Sequence, residues 1–423
     1  MARLGRPAVS AARHDAVRIG FEGVTDPIVP RLRSLDGLRG VAALVVVFHH
    51  AALAAPVILV TLWPGRDGSS ISQVAGTVGW RVLTFPLHLL LSAGLEAVFV
   101  FFILSGLVLT LPVLRARAGY SWLVYYPRRM IRLGIPVLGS IALAALLVVA
   151  VPRFPVVSGV GIDWLSNANS LTFSATDLLD TLNLLGPRQP LNNPLWSLGW
   201  EFAFSLLLPL AGLLAVRITS TRAAVVVIVA CVAVITAGSV AGLDALVYLP
   251  MFVAGVAIAA VLPAITRVLS TVLVARPGRA AVFLACSLAL IAVPWVASGV
   301  TGALYPVTVG FAVAGSLALV ALALVAGRWS DFLESRLVQW LGRLSFSLYL
   351  VHVPVLVTTM YFVGIDRWLL ALPLGIGASI AVAWLFSRGI ELPSHHLARM
   401  VGRKIELARA RRSAVTSGSD LRE

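Results

Sequence analysis

The sequence predicts an all-α fold, a polytopic membrane bundle of about ten transmembrane helices with both termini cytosolic. Three observations carry that prediction. Only 12% of the 423 residues are charged, against about 25% in soluble globular chains, and the mean hydropathy is +0.95. Apolar runs long enough to cross a hydrocarbon core of about 30 Å recur along the whole chain. Between them, Lys and Arg crowd into alternate loops.

In order, the spans fall near 38–62, 90–111, 133–151, 195–216, 222–241, 245–262, 280–297, 302–326, 341–363 and 368–387. "WRVLTFPLHLLL", just before the second, suits a segment lying along the membrane interface. The loops and termini on one side hold 28 of the 33 Lys and Arg, leaving 5 for the other. With the termini left out, that side still leads 13 to 5. The positive-inside rule therefore puts it in the cytosol, with the bundle in the plasma membrane. The net charge of +15 reads as topology, and nucleic acid is not an expected partner.

Residues 1–36 lack an apolar core of signal-peptide length and read as a basic cytosolic arm. Residues 37–393 form the transmembrane domain. Residues 394–423, basic and polar, are expected to be a disordered cytosolic tail. Cys231 and Cys286 lie in separate apolar runs, which argues against a disulfide or a thiolate metal site. No close spacing of His and acids predicts any other metal site. The outer loop 153–194 is too short for a catalytic domain and long enough to cover an outward-facing site.

The few ionisable groups inside the spans are the functional candidates, because a charge there costs several kcal/mol. In "LDGLRGVAALVVVFHH" (35–50), Arg39 and His50 are eleven residues apart. That spacing puts them on one helix face, ~16 Å apart along the axis, with His49 turned about 80° from Arg39. Glu201, in "NNPLWSLGWEFAFSLLLPL", enters from the opposite face to a similar depth. His50 and Glu201 are therefore an expected proton-transfer pair, against the blander reading of a structural ion pair. "GLEAVFVFFILSG" (94–106) holds Glu96 near the outer edge and Ser105-Gly106 deeper. The Ser-Gly pair reads first as a close helix approach and second as space or a hydroxyl beside substrate. Arg128, Arg129 and Arg132 in "YYPRRMIRLGIP" share the inner face with Arg39 and suit a phosphate-rich ligand. Tyr349 and His352 in "LGRLSFSLYLVHVPVL" complete the set, with His352 expected to pack between helices.

Together these segments resemble the acyltransferase 3 family, integral membrane enzymes that acylate sugars and other hydroxyl-bearing acceptors. "LDGLRGVAALVVVFHH" is similar to its opening motif, an arginine, ten residues, then a histidine. "FFILSG", "YYPRRMIR", "PLWSLGWEF" and "LGRLSFSLYLVH" resemble its later motifs, in the family's order, over about residues 33–393. Where many members carry an acid shortly before the Phe-Phe, this chain has Phe99, and Glu96 takes that place. "RLGIP" is one residue longer than the common Arg-Leu-x-Pro, and "IELP" follows the usual ending loosely.

The resemblance implies an acyl-CoA co-substrate, most often acetyl-CoA, with no permanently bound cofactor. With that donor in place, the physical reading expects His50, Glu201 and Arg39 as catalytic residues and Arg128, Arg129, Arg132 and Ser105 at the donor. Glu96, Trp196, Tyr349 and His352 are left for the acceptor or for structural support. The expected acceptor is a sugar, a glycolipid or a glycosylated small molecule. Transfer runs either directly, with His50 as general base, or through an acyl-histidine. The rival class is a proton-coupled transporter or exporter, which also buries His and Glu near the midplane. It predicts repeat symmetry that the sequence does not display. A flippase or polymerase of lipid-linked sugars and a non-catalytic scaffold are further alternatives.

Overall fold

The computed structural model describes residues 32–55, 85–116, 119–155, 164–165, 168–274, 276, 278–298, 304–325 and 327–419. The amino-terminal arm expected over residues 1–36 lies almost wholly outside them. Residues Arg33–Glu423 cluster as one compact unit. Its elements, in order, are α1 (Arg33–Ala54), α2 (Phe85–Ser92), α3 (Gly94–Ala116), α4 (Trp122–Ala150) and α5 (Ala175–Leu182). Then follow α6 (Leu195–Arg217), α7 (Thr221–Ala241), α8 (Asp244–Ala260), α9 (Leu262–Val274) and α10 (Arg279–Ser298). The chain continues with α11 (Tyr305–Ala323), α12 (Arg328–Leu333), α13 (Arg336–Val363), α14 (Trp368–Phe386) and α15 (Leu392–Ser419). There is no strand among the described residues.

Nine helices among the described residues are long and apolar enough to cross a membrane. The expected span at 245–262 is α8, which with α9 forms a pair bent by 82°, so the count rises to ten if that pair crosses. Proline lies inside α3, α4, α6, α8, α10, α13 and α14, and in α6 the Ser205 carbonyl, freed by Pro209, accepts from Tyr125 Oη of α4. The "HLLL" end of the predicted interfacial stretch belongs to α2, a separate helix broken from α3 at Ala93.

Small residues set the closest helix contacts. A Cβ on Gly106 of α3 would overlap the Phe252 carbonyl of α8, and one on Gly255 would overlap the Ile103 carbonyl. Likewise Gly40 of α1 lies against the backbone of Gly342 in α13. Ten residues further along both helices, His50 meets His352. Helices α1 and α13 therefore run parallel and in register, with buried Val46, Val47, Leu348, Leu350 and Val351 filling the core around them. Helices α4 and α6 run antiparallel, tied by Tyr125 Oη to Ser205 O (3.2 Å) and Tyr126 Oη to Leu206 O (3.1 Å).

The tail expected to be disordered is helical to Ser419, and this corrects the sequence reading. It grows out of α14 through a π-helical turn, Ser387–Glu391, so it needs no nucleus of its own. It then docks along α4. Gly402 sits against the Arg128 side chain, Arg128 lies 3.8 Å from Glu406, and Arg409 Nη1 donates to Ser121 Oγ at 2.7 Å. Composition alone reads such a segment as unable to pack; a row of contacts to one neighbour holds it.

Candidate active site

The arginines converge at the amino-terminal ends of α1 and α4. Arg129 Nη2 donates to Glu201 Oε1 at 2.6 Å and its Nε to Ser205 Oγ at 3.0 Å. Ser105 Oγ donates to the same Glu201 oxygen at 3.3 Å. The charge of Arg39 also reaches Glu201. A small cavity of about 40 Å³ opens here, lined by Arg39, Phe101, Ser105, Ser197, Glu201 and Tyr349. Beside it the π turn carries Glu391 inward, where Ser347 Oγ donates to its Oε2 at 2.5 Å and the charges of Arg132 and Arg39 reach it. The exposed Arg132 stays beside Arg129 and Arg39. Arg128, the third arginine expected at the donor, also lies 3.8 Å from Glu406 of α15.

His50 does not pair with Glu201. Similar depth on two helices says nothing about the direction each side chain faces, and Glu201 faces α3 and α4. The partner of His50 is His352, with His352 Nε2 and His50 Nδ1 3.0 Å apart. Hydrogen-bond chemistry fixes the protons of this pair. His352 Nδ1 lies 3.0 Å from the Leu348 carbonyl and 2.8 Å from that of Tyr349, so it carries the proton and its Nε2 accepts. His50 Nδ1, also 3.0 Å from the Val46 carbonyl, donates to both acceptors. The Nε2 of His50 is left as a lone pair. Trp164, from the loop expected to act as a cover, stacks on the His50 ring with centroids 5.5 Å apart.

Tyr349 joins the two halves of the site. Its hydroxyl lies 2.6 Å from Ser197 Oγ, it lines the small cavity, and its ring is 5.8 Å from that of His352. Trp196 packs on Tyr248, ring centroids 5.2 Å apart, and serves the aromatic packing of α6 on α8. Glu96 is buried at the other end of the bundle and lines a separate cavity of about 280 Å³ with His49. The pairing of His352, the stacking of Trp164 and the inward turn of Glu391 escape sequence reasoning. The only advance signals were a second span histidine and an acid among arginines. Among the described residues no group of His, Cys, Asp and Glu is arranged to hold a metal ion.

Polar groups thus follow one another from the arginines through Glu201, Ser105 and Tyr349 to the paired histidines. A family model described as an acyltransferase domain matches residues 32–388, most of the chain. Neither the curated proteins nor the solved structures compared with the chain gave a match. The matched region contains Arg39, Glu201, His50 and His352, and the chain belongs to the acyltransferase 3 family of membrane acyltransferases.

Proposed function

We propose that the protein moves an acyl group, in the first instance acetyl, from cytosolic acyl-CoA to a hydroxyl of a sugar or glycosylated acceptor on the far side of the plasma membrane. The observation that carries the reading is the lone pair left on His50 Nε2 by the His352 contact. CoA phosphates meet Arg39, Arg129 and Arg132 at the cytosolic end. The slim pantetheine arm covers the ~16 Å from Arg39 to His50, past Ser105 and Tyr349. Glu201 acts as a positioning residue that holds Arg129 and the Ser105 hydroxyl beside that arm. The acceptor hydroxyl gives its proton to His50 Nε2 as its oxygen bonds to the thioester carbon. The C–S bond then breaks, and the CoA thiolate takes the proton from the imidazolium. Arg39 steadies the charge that develops on the donor.

The test is hydrolysis of, and transfer from, radiolabelled acetyl-CoA by detergent-purified protein beside His50→Ala, with both checked for folding by chromatography. The expected loss for His50→Ala is at least about a hundredfold. Absence of acyl-CoA binding by well-folded wild type would overturn the reading. Label retained on protein after an acid quench and released by hydroxylamine would assign an acyl-histidine step instead of direct transfer.

A further inference from the structure

Between Asp244 and Asp331 the chain carries no acid, and its basic residues there are Arg267, Arg276, Arg279 and Arg328. They fall on α9, on its turn into α10 and at the start of α12. The fold brings these elements together, because buried Leu273, Leu322 and Val325 pack with Phe283 and Trp329. The four arginines therefore share one end of the bundle. Among the described residues none of them meets an acid.

Helix α9 turns 82° from α8 and so lies across that end of the bundle. Its Leu269 and Leu273 pack inward, Val268 and Val272 are exposed, and Arg267 and Thr271 stand on the polar side. Such a helix suits the membrane–water boundary. Between α9 and α10 runs an open groove of about 470 Å³, lined by Val272, Leu273, Arg279, Val282, Phe283 and Cys286. On α10 the lining residues recur at i, i+3, i+4 and i+7, so the groove follows one helix face for ~10 Å from Arg279, the first residue of α10. A guanidinium stands at the boundary, and beyond it come only apolar side chains and a thiol. Arg279 is anchored there, its Nη1 donating to the Val272 carbonyl at 3.0 Å. Its other N–H groups meet no side chain among the described residues. The Arg279 backbone N–H donates to the Arg276 carbonyl at 3.4 Å, a turn that keeps the second arginine at the same end.

We infer that this groove binds an anionic glycerophospholipid of the adjoining leaflet, its phosphate on Arg279 and Arg276 and one acyl chain along Val282, Phe283 and Cys286. The order of chemistry in the groove is that of the lipid, charge at the boundary and hydrocarbon inward. Guanidinium pairs well with phosphate oxygens, and each basic side chain at a membrane surface favours a net negative headgroup. A zwitterionic lipid brings its own cation to the same arginines, and a free phosphate gains nothing from the apolar wall. The site takes no part in acyl transfer, and it stands or falls separately from that reading.

The test uses the full chain, purified in detergent and returned to phosphatidylcholine vesicles. The vesicles carry a trace of either phosphatidylglycerol or phosphatidylcholine with a diazirine in one acyl chain, and labelled peptides are mapped after irradiation. The peptide holding the exposed Leu206, Leu210 and Leu213 of α6 reports contact with bulk lipid. Relative to that peptide, phosphatidylglycerol is expected to label residues 272–286 about fivefold or more above phosphatidylcholine. Arg276→Gln together with Arg279→Gln should bring the two lipids to parity there. Val282→Trp, which fills the groove and keeps both arginines, should lower labelling of 272–286 by both lipids while α6 is labelled as before. Equal labelling by the two lipids in the wild type, or a preference that survives loss of both arginines, would overturn the inference. So would labelling of 272–286 that Val282→Trp leaves unchanged. Labelled α6 with unlabelled 272–286 would mean that a protein surface, such as a second copy of the chain, fills the groove, and it overturns the inference too.

Discussion

At the scale of single residues, the His352–His50 contact makes a definite kinetic claim. In the proposed mechanism His352 is a positioning residue, since its Nε2 lies 3.0 Å from His50 Nδ1 and would keep the proton there. His352→Ala is expected to lower kcat by about 10- to 100-fold, the usual effect of losing an orienting partner, with KM for acetyl-CoA little changed. His352→Gln restores an acceptor for Nδ1–H and should recover part of kcat, whereas a purely structural defect would not respond to that rescue. The Arg129–Glu201 pair makes a stability claim. With 11% and 15% of the two side chains exposed, Arg129→Ala strands a carboxylate and should cost about 3–5 kcal/mol, read as a lower unfolding temperature in detergent. The double variant Arg129→Met with Glu201→Leu should be closer to wild type in stability, while losing activity. Neither claim was legible in the sequence. Arg39, His50, Glu201 and His352 stand out because span charges are few, but which of them meet depends on helix rotation, and residues 50 and 352 are far apart in the chain.

At the scale of elements, apolar runs and their breaks are local, and each expected span has a helix at its place. The two departures share one cause, that polar helices gain their stability from a neighbour. Helix α15 reads as a disordered tail until α4 is beside it, and α9 reads as a loop until α8 bends into it. If docking on α4 holds α15, weakening that contact should free it. Glu406→Lys, which sets a cation against Arg128, is expected to speed tryptic cleavage at Arg399 and Arg403 several-fold, with α4 and the rest of the bundle uncut. Equal cleavage in both proteins would mean that α15 stands without that pair.

At the scale of the whole molecule, one polar line runs from the arginines to His50 inside an apolar bundle, and the cavity lined by His49 and Glu96 lies beyond it. The transporter alternative needs broken helices paired between two halves, and the described residues contain a single bent pair. Orientation is open to direct measurement. In a variant with Cys231 and Cys286 replaced, a cysteine at Ser121 is expected to react with an impermeant maleimide only after the inner face is opened. One at Asp177 should react from outside intact cells. The reverse pattern would invert the proposed path of donor and acceptor.

The parallel register of α1 and α13 has a consequence for how the chain can vary. Two contacts, Gly40 with Gly342 and His50 with His352, are each separated by ten residues on their own helix, so each helix gauges the other's length. One residue inserted between positions 40 and 50 would swing His50 by about 100° and push it about 1.5 Å onward, away from His352. Activity should vanish even with every side chain retained. A matching insertion between positions 342 and 352 would turn the second histidine by the same angle, and it should recover far more activity than an insertion placed anywhere else in α13. Length in these two segments can therefore change only in step, a constraint that acts on the count of residues and not on their identity.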